Sequence, residues 1–131
     1  PVEGSPYLNT ESVHGLAQWA DFLIVTVAGG EQTRHLIDAN VLDALGPTAF
    51  LINVARGSVV DERALVHALQ DGRIAGAGLD VYEDDPRPYP GLEAMDNVVL
   101  APHIGSGTHA TRHAMADWVL ENIRTWPPVV R

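Results

Sequence analysis

Four short apolar runs rich in β-branched residues recur along the chain, and each is continuously hydrophobic rather than alternating with polar residues. The runs are residues 22–27 (FLIVTV), 50–55 (FLINVA), 76–81 (GAGLDV) and 97–102 (NVVLAP). A continuous apolar run of this length is typical of a strand that is buried on both faces of a parallel sheet. The pattern therefore predicts four parallel strands.

Segments with helical signals separate the first three runs. Asp61 is a suitable N-cap for a helix before the third run, and Gly72 stands just past its last apolar position. The helix predicted before the second run ends at Gly46-Pro47, and its apolar face consists of Leu36, Ile37, Val41, Leu42 and Leu45. Strands that alternate with helices predict right-handed crossovers and an α/β, Rossmann-like, doubly wound sheet.

The end of the chain predicts one more helix, over residues 108–125 and closed by Pro127-Pro128. His109 and His113 are spaced to face the same side of it, but the sequence offers no obvious third ligand, so we expect exposed histidines and no metal site. The three tryptophans are interpreted as core or interface residues; they are Trp19, Trp118 and Trp126.

Three polar residues follow the predicted strands, at the ends where ligands of such sheets bind. Arg56 follows the second run, His103 follows the fourth, and Asp85 lies in the proline-rich connection between the third and the fourth. Because neighbouring strands lie only about 4.8 Å apart, these side chains can converge. Arginine can hold a carboxylate by two hydrogen bonds, histidine can donate a proton near neutral pH, and a carboxylate can orient the histidine. This set suits the reduction of a 2-oxo acid.

Three blocks of sequence carry a family resemblance. Residues 52–65 (INVARGSVVDERAL), 72–86 (GRIAGAGLDVYEDDP) and 101–105 (APHIG) closely resemble the D-isomer-specific 2-hydroxyacid dehydrogenases. The resemblance extends from about Ser12 to Thr125. Within that family, residues 26–37 (TVAGGEQTRHLI) are most similar to glyoxylate/hydroxypyruvate reductases.

The resemblance implies catalytic roles for the same three polar residues. Arg56 would bind the carboxylate and carbonyl of the substrate, and His103 would be the general acid and base. The family's catalytic acid directly precedes a proline, which places it at Asp85, where the family usually has glutamate. Since aspartate is one methylene shorter, reaching His103 is expected to need a loop shift, and Glu83 is the alternative acid.

The resemblance also implies that NAD or NADP is the cofactor. Val27 is expected near the adenosine side, and the other expected contacts are Val54, Ala55, Arg56, Asp80, His103, Gly105 and Ser106, with Asp80 at the nicotinamide end. The G-x-G-x-x-G turn that holds the pyrophosphate in such domains does not occur in the sequence, and Gly29-Gly30 alone does not replace it.

The missing turn leads to an expectation about domain organisation. We expect residues 1–131 to be the second half of a dinucleotide-binding domain, with the substrate domain absent and Tyr7-Leu8 as the remnant of a further strand. The resemblance implies that the parent protein is a homodimer. Without its neighbour, the strand at residues 22–27 becomes an open edge. We therefore expect the isolated chain to pair with a copy of itself, to associate with the missing half of the domain or to aggregate, and to bind dinucleotide weakly or not at all.

The composition and net charge of the chain exclude several classes of function. Eight basic and 17 acidic residues give a net charge of −9, which argues against binding to nucleic acid or an anionic membrane. The absence of cysteine excludes a thiol nucleophile and a thiolate metal site. No apolar run approaches the roughly 20 residues of a membrane span, so we expect a cytoplasmic domain.

Two alternatives to the dehydrogenase stay open. A dehydrogenase-like module can bind the dinucleotide as a sensing ligand and act through protein partners while it retains Arg56 and His103. The chain can also be a fragment with no activity of its own, which is compatible with a dehydrogenase as its parent. Turnover of glyoxylate or hydroxypyruvate by the complete protein separates an enzyme from a sensor.

Overall fold

The computed structural model describes residues 7–126 of the chain, and these residues contain one parallel sheet. The four strands lie in sequential order: β1 (Phe22–Val25), β2 (Phe50–Asn53), β3 (Gly76–Leu79) and β4 (Val98–Leu100). Every neighbouring pair is parallel. The predicted α/β, Rossmann-like class is therefore confirmed.

Each strand ends two residues before the end of its apolar run. The backbone ladder continues briefly beyond the strands, since the Val54 N–H donates to the Val25 carbonyl and the Ala101 N–H donates to the Leu79 carbonyl. The chain then turns out of the sheet. The last residues of the runs therefore form the starts of the loops at the carboxyl edge rather than strand.

Within residues 7–126, four α-helices accompany the sheet: α1 (Val13–Ala17), α2 (Ala39–Leu45), α3 (Glu62–Gln70) and α4 (His109–Thr125). The cap predicted at Asp61 is confirmed, because its carboxylate accepts from the Ala64 N–H at 3.0 Å. The last helix begins as predicted after Thr108, whose hydroxyl accepts from the Thr111 N–H. Pro127-Pro128 lies outside the described residues.

The prediction of helix from Leu36 is wrong. The helix begins only at Ala39, because the Asp38 carboxylate caps it by accepting from the Val41 N–H at 3.0 Å. Ile37 is instead extended and pairs in parallel with Val60. An apolar residue next to a helix can belong to a neighbouring extended segment, and the hydrophobic pattern does not separate the two cases.

Only one face of the sheet is covered within the described residues. Leu23 and Val25 point into a core formed with α2 and α3, whereas Phe22 is 62% and Ile24 is 59% exposed. Phe22 stacks on Phe50, with ring centroids 5.2 Å apart, on the uncovered side. The predicted burial on both faces is therefore not observed in this part of the chain.

The strand remnant expected at Tyr7-Leu8 is not observed, and the tryptophans do not contribute to the core. Tyr7 and Leu8 lie outside any strand and are exposed, since two residues form too short a ladder to make a strand by themselves. Of the two roles considered for the tryptophans, the core role is wrong, because Trp19, Trp118 and Trp126 are 60%, 73% and 71% exposed, and the interface role stays a prediction. Two of these lie on or next to α4, which has no buried residue.

No helix among the described residues combines the length and the apolar character that a membrane crossing requires.

Candidate active site

The carboxyl ends of the strands bring the three predicted catalytic residues together. Arg56 follows β2, Asp85 lies in the loop after β3, and His103 follows β4. All three line a single cavity of about 330 Å³, together with Gly29 and Tyr82. The structure thus places on one crevice the side chains that the sequence assigns to one reaction.

The closest polar contact in this cavity joins Asp85 to His103. The Asp85 Oδ2 atom is hydrogen-bonded to Nδ1 of the imidazole, and both side chains are partly exposed. Because Nδ1 faces the carboxylate, Nε2 is the ring nitrogen available for proton exchange. The expected loop shift is not needed, since the shorter aspartate reaches the histidine in this structure.

Glu83, the alternative acid, has other partners. Its Oε1 atom accepts a hydrogen bond from Arg34 Nη2 at 2.5 Å and lies 3.1 Å from Nε2 of His35. The carboxylate is therefore engaged with the segment after β1, while Asp85 is engaged with His103. This geometry favours Asp85 as the acid.

Arg56 is exposed at the mouth of the cavity, and two glycines make room around it. A Cβ atom on Gly29 would lie 2.6 Å from Cγ of Arg56, so the glycine permits this close approach. A Cβ atom on Gly57 would lie 1.8 Å from the Tyr82 carbonyl carbon, which shows that the loops after β2 and β3 touch through their backbones. Any side chain at Gly57 would separate Arg56 from the loop that carries Asp85.

Asn53 supports the Arg56 turn and was not singled out from the sequence. It is 1% exposed; its side-chain amide donates to the Arg56 carbonyl at 3.0 Å, and its Oδ1 accepts from the Ala55 N–H at 3.1 Å. A polar residue inside an otherwise apolar strand was the available signal, because burying an amide is costly unless it is hydrogen-bonded.

Asp80 holds the turn that follows His103. Its two carboxylate oxygens accept from the backbone N–H groups of Ile104 and Gly105, both at 2.8 Å. His103 has a φ of 53°, a left-handed conformation that is uncommon for a residue with a side chain. Strain of this kind persists where the surroundings fix the backbone, and the two hydrogen bonds to Asp80 do so.

The remaining predicted cofactor residues divide into exposed and buried ones. Val27 and Val54 are 40% and 48% exposed at the strand ends, so their side chains are available to a planar ring. Ala55 is 5% exposed, and its carbonyl accepts from Arg56 Nη1 at 2.6 Å. Gly105 and Ser106 are exposed in the turn after His103. Their roles in cofactor binding stay predictions, with Val27 expected near the adenosine side and Val54 and Ala55 at the nicotinamide.

Burial changes two pKa values beside the cavity. Burial raises the pKa of the Glu62 carboxyl above 4.5, and the nearby carboxylates of Glu83, Asp84 and Asp85 act in the same direction. Burial also raises the pKa of the Tyr82 phenol, whose hydroxyl donates to a backbone carbonyl.

The described residues contain no group of three or more side chains arranged to bind a metal ion. His109 and His113 are both exposed on α4.

Comparison with known proteins identifies the family. The chain belongs to the D-isomer specific 2-hydroxyacid dehydrogenases, because the model of their NAD binding domain matches residues 3–105. It is 51% identical over 112 residues to glyoxylate/hydroxypyruvate reductase A HPR2 of Arabidopsis thaliana, covering 86% of this chain and 36% of that protein. It is 50% identical over 108 residues to the 2-ketogluconate reductase of Gluconobacter oxydans, covering 82% and 35%.

A solved structure shows the same fold. The NADPH-dependent glyoxylate/hydroxypyruvate reductase of Sinorhizobium meliloti, in complex with NADP and malonate, is 47% identical and superimposes with a TM-score of 0.89. The match covers 98% of this chain and 40% of that one. The predicted cofactor class, NAD or NADP, is confirmed at the level of the domain. The chain spans about a third of the length of the curated relatives it matches.

Proposed function

We propose that the complete polypeptide containing this chain is an NAD(P)-dependent D-2-hydroxyacid dehydrogenase. It transfers hydride between the nicotinamide and C2 of a small 2-oxo or 2-hydroxy acid such as glyoxylate or hydroxypyruvate. The observation that carries the proposal is the cavity in which Arg56 lies near the hydrogen-bonded Asp85 and His103. The names of the Arabidopsis and Sinorhizobium relatives support the substrate class.

Arg56 binds the substrate in this proposal. Its guanidinium presents parallel N–H groups that match the two oxygens of a carboxylate. A 2-oxo acid held in this way places its carbonyl next to the carboxylate anchor, within the same cavity. The positive charge also stabilises the negative charge that develops on the carbonyl oxygen as the hydride arrives.

His103 moves the proton. In the reductive direction, protonated His103 donates from Nε2 to the carbonyl oxygen while carbon 2 accepts the hydride, so the product is a hydroxyl on a tetrahedral carbon. Asp85 holds Nδ1, which fixes the ring orientation and stabilises the imidazolium before the transfer. In the oxidative direction, the neutral imidazole takes the proton back.

When bound, a dinucleotide would supply or accept the hydride. The exposed side chains of Val27 and Val54 are proposed to contact it on one side of the cavity, and the turn at Gly105 and Ser106 on the other. Asp80 contributes at the nicotinamide end and positions that turn through the backbone. Ala55 contributes through its backbone, because its side chain is buried.

Residues 1–131 are proposed to supply the part of the dinucleotide-binding domain that carries the three catalytic residues. The substrate domain is not among them, which agrees with the share of the relatives that the chain spans. We propose a cytoplasmic homodimer as the working form. The net charge of −9 disfavours nucleic acid and anionic membranes as partners.

The test is a turnover assay on the complete polypeptide. Glyoxylate and hydroxypyruvate are offered with NADH and with NADPH, and loss of reduced nicotinamide is followed. Turnover that disappears in His103→Ala and persists in His113→Ala supports the proposal. Dinucleotide binding without turnover of any small 2-oxo acid contradicts it and favours a sensing module, and neither binding nor turnover favours an inactive protein.

A further inference from the structure

The acid loop (residues 82–87) carries Asp85 and is attached to α3 by a buried carboxylate. Glu62, the first residue of α3, is 3% exposed. Its Oε1 atom accepts from the Glu83 N–H at 2.9 Å, two residues before Asp85. Burying a carboxylate is costly unless it is hydrogen-bonded. The hydrogen bond between the buried Glu62 carboxylate and the Glu83 N–H fixes the backbone next to the proposed acid.

The side chain of the same loop residue is attached to a different element. Glu83 Oε1 accepts from Arg34 at 2.5 Å and contacts His35 at 3.1 Å. The Arg34 segment is itself anchored, because the His35 N–H donates to the Ser58 carbonyl at 2.8 Å, two residues after Arg56. His35 has a φ of 49°, a further sign of a backbone fixed by its surroundings.

A third contact attaches the acid loop to the segment that carries His103. The Tyr82 hydroxyl donates to the Ala101 carbonyl at 2.7 Å, two residues before the histidine. The tyrosine is 5% exposed, so this hydrogen bond is shielded from competing water. The acid loop is thus fixed on the sides of α3, the Arg34 segment and β4, and Asp85 lies on its free side against His103.

Charge makes the Arg34 contact more than a surface ion pair. Glu62, Glu83, Asp84 and Asp85 place four acidic side chains at the acid loop, three of them consecutive. Two permanent cations pair with this group, whereas His35 is charged only when protonated. Arg34 pairs with Glu83, and Arg87 pairs with Asp84 in a more exposed contact that water screens more strongly. Without Arg34, repulsion between neighbouring carboxylates favours movement of the acid loop.

On the basis of the function proposed above, we propose that Glu62 and Arg34 are positioning residues that hold the acid loop so that Asp85 stays against His103. Neither residue touches the substrate in this account. Glu62 acts on the loop backbone and Arg34 acts on the Glu83 side chain. Both therefore act on the reaction through the Asp85–His103 hydrogen bond.

The test uses pairs of variants in the complete polypeptide. Glu62→Ala removes the acceptor for the Glu83 N–H, whereas Glu62→Gln keeps an oxygen there. Arg34→Ala removes an exposed side chain and should therefore leave the fold intact, whereas Arg34→Lys keeps the charge. Arg63→Ala is the matched control on α3, and Arg87→Ala is the control in the acid loop, where it breaks only an exposed ion pair with Asp84.

Glu62→Ala and Arg34→Ala should each lower kcat by roughly 10- to 100-fold, the usual consequence of a small misplacement of a reacting group. The KM for the 2-oxo acid should change much less, because Arg56 is untouched. The basic limb of the pH–rate profile should move to lower pH, the same direction that we expect for Asp85→Asn. Glu62→Gln and Arg34→Lys should restore most of kcat and the original profile, and both controls should match the wild type.

Two further measurements separate this inference from the proposed function. Amide hydrogen exchange in residues 82–87 should accelerate in Glu62→Ala and return towards wild type in Glu62→Gln, whether or not the protein turns over any substrate. Adding Arg34→Ala to Asp85→Asn should lower kcat little further, because both changes remove the same interaction.

Several outcomes overturn the inference. These are unchanged exchange, faster exchange with unchanged kcat and pH profile, and fully additive losses in the double variant. A wild-type protein without turnover overturns the dehydrogenase proposal instead, and the exchange measurement then still decides whether Glu62 and Arg34 hold the loop.

Discussion

The carboxyl edge of the sheet and its uncovered face differ in how they are stabilised by the described residues. Polar groups at the carboxyl edge are hydrogen-bonded, whereas apolar side chains on the uncovered face are left exposed. At the carboxyl edge, Asn53, Glu62 and Asp80 each accept or donate hydrogen bonds that fix a loop around the cavity. On the uncovered face, Phe22 and Ile24 are more than half exposed although both are strongly apolar. These polar groups at the carboxyl edge thus find their hydrogen-bond partners within the chain, whereas the apolar side chains on the uncovered face are not buried by it.

The difference separates two kinds of requirement. A hydrogen bond is satisfied by one correctly placed partner, and loops from successive strands provide it locally. Covering an apolar sheet face needs a whole further layer of structure. The loops of the site can therefore be held in place by hydrogen bonds while one apolar face of the sheet is still uncovered. Apolar surface of this kind seldom stays exposed in a folded protein.

The largest effect is expected at the proton donor. His103→Ala removes the general acid, so turnover of the complete polypeptide should fall roughly 10²- to 10⁴-fold. Steady-state kinetics with a 2-oxo acid measures the loss. His113→Ala, an exposed histidine on α4, is the matched control and should retain wild-type turnover. Near-normal turnover in His103→Ala would remove this residue from the mechanism.

The next effect concerns the substrate anchor. Arg56→Lys keeps the charge but loses the parallel pair of donors, so kcat/KM for a 2-oxo acid should fall by about 10²-fold. Arg112→Lys on α4 makes the same chemical change away from the cavity and should be silent. Equal kcat/KM values in the two variants would show that Arg56 does not bind the carboxylate.

The uncovered face predicts the behaviour of the 131-residue chain by itself. Apolar surface at an open sheet edge favours association, so light scattering should detect dimers or larger species. Ile24→Lys places a charge on the exposed face and should reduce association, whereas Gln70→Lys at the end of α3 should not. The chain should bind NADH weakly, because it lacks the glycine turn that holds a pyrophosphate.

A monodisperse monomer that binds NADH with micromolar affinity would contradict both expectations. If association persists unchanged in Ile24→Lys, the apolar side of α4 becomes the alternative surface to test. Its exposed large side chains include Trp118 and Ile123.

The smallest effect is a change in the pH dependence of stability. Since the pKa of Glu62 is raised in the folded state, there is a pH range between the unfolded and folded pKa values in which the folded protein holds a proton that the unfolded chain has released. The contribution of Glu62 to stability is therefore greatest below about pH 4.5 and is lost as the pH rises through the raised pKa. Glu62→Gln has no titrating group at this position, so its stability should not show this decrease with rising pH.

Thermal unfolding of the complete polypeptide between about pH 4 and pH 7 measures the effect. The Tm of the wild type relative to Glu62→Gln should decrease with rising pH. Glu93→Gln, at an exposed carboxylate, is the control and should track the wild type. A constant difference in Tm between wild type and Glu62→Gln would mean that the Glu62 pKa is not raised.

The sequence predicted the parts of this molecule that depend on position along a strand. Arg56 and His103 follow apolar runs, and parallel strands bring such positions to one edge, so their convergence was predictable. The start of α2 was not, because the choice between helix and extended backbone at Ile37 depends on pairing with Val60. Burial of both sheet faces was also overestimated, since an apolar run does not reveal what covers it.

The network around the acid loop was the least predictable part. Glu62 and Arg34 lie 21 and 49 residues from Glu83, and neither is distinguished in the sequence from an ordinary surface charge. Their significance comes from tertiary hydrogen bonds. Local patterns do not encode those bonds.

The measurement that tests the central claim most directly is the pH dependence of kcat/KM in the complete polypeptide. If Asp85 is the partner of His103, Asp85→Asn should move the basic limb of the profile to lower pH, because the carboxylate no longer stabilises the protonated imidazole. Asp85→Glu should retain activity, and Glu83→Gln should move the limb less than Asp85→Asn. An unchanged profile in Asp85→Asn together with a shifted profile in Glu83→Gln would contradict the account and assign the acid to Glu83.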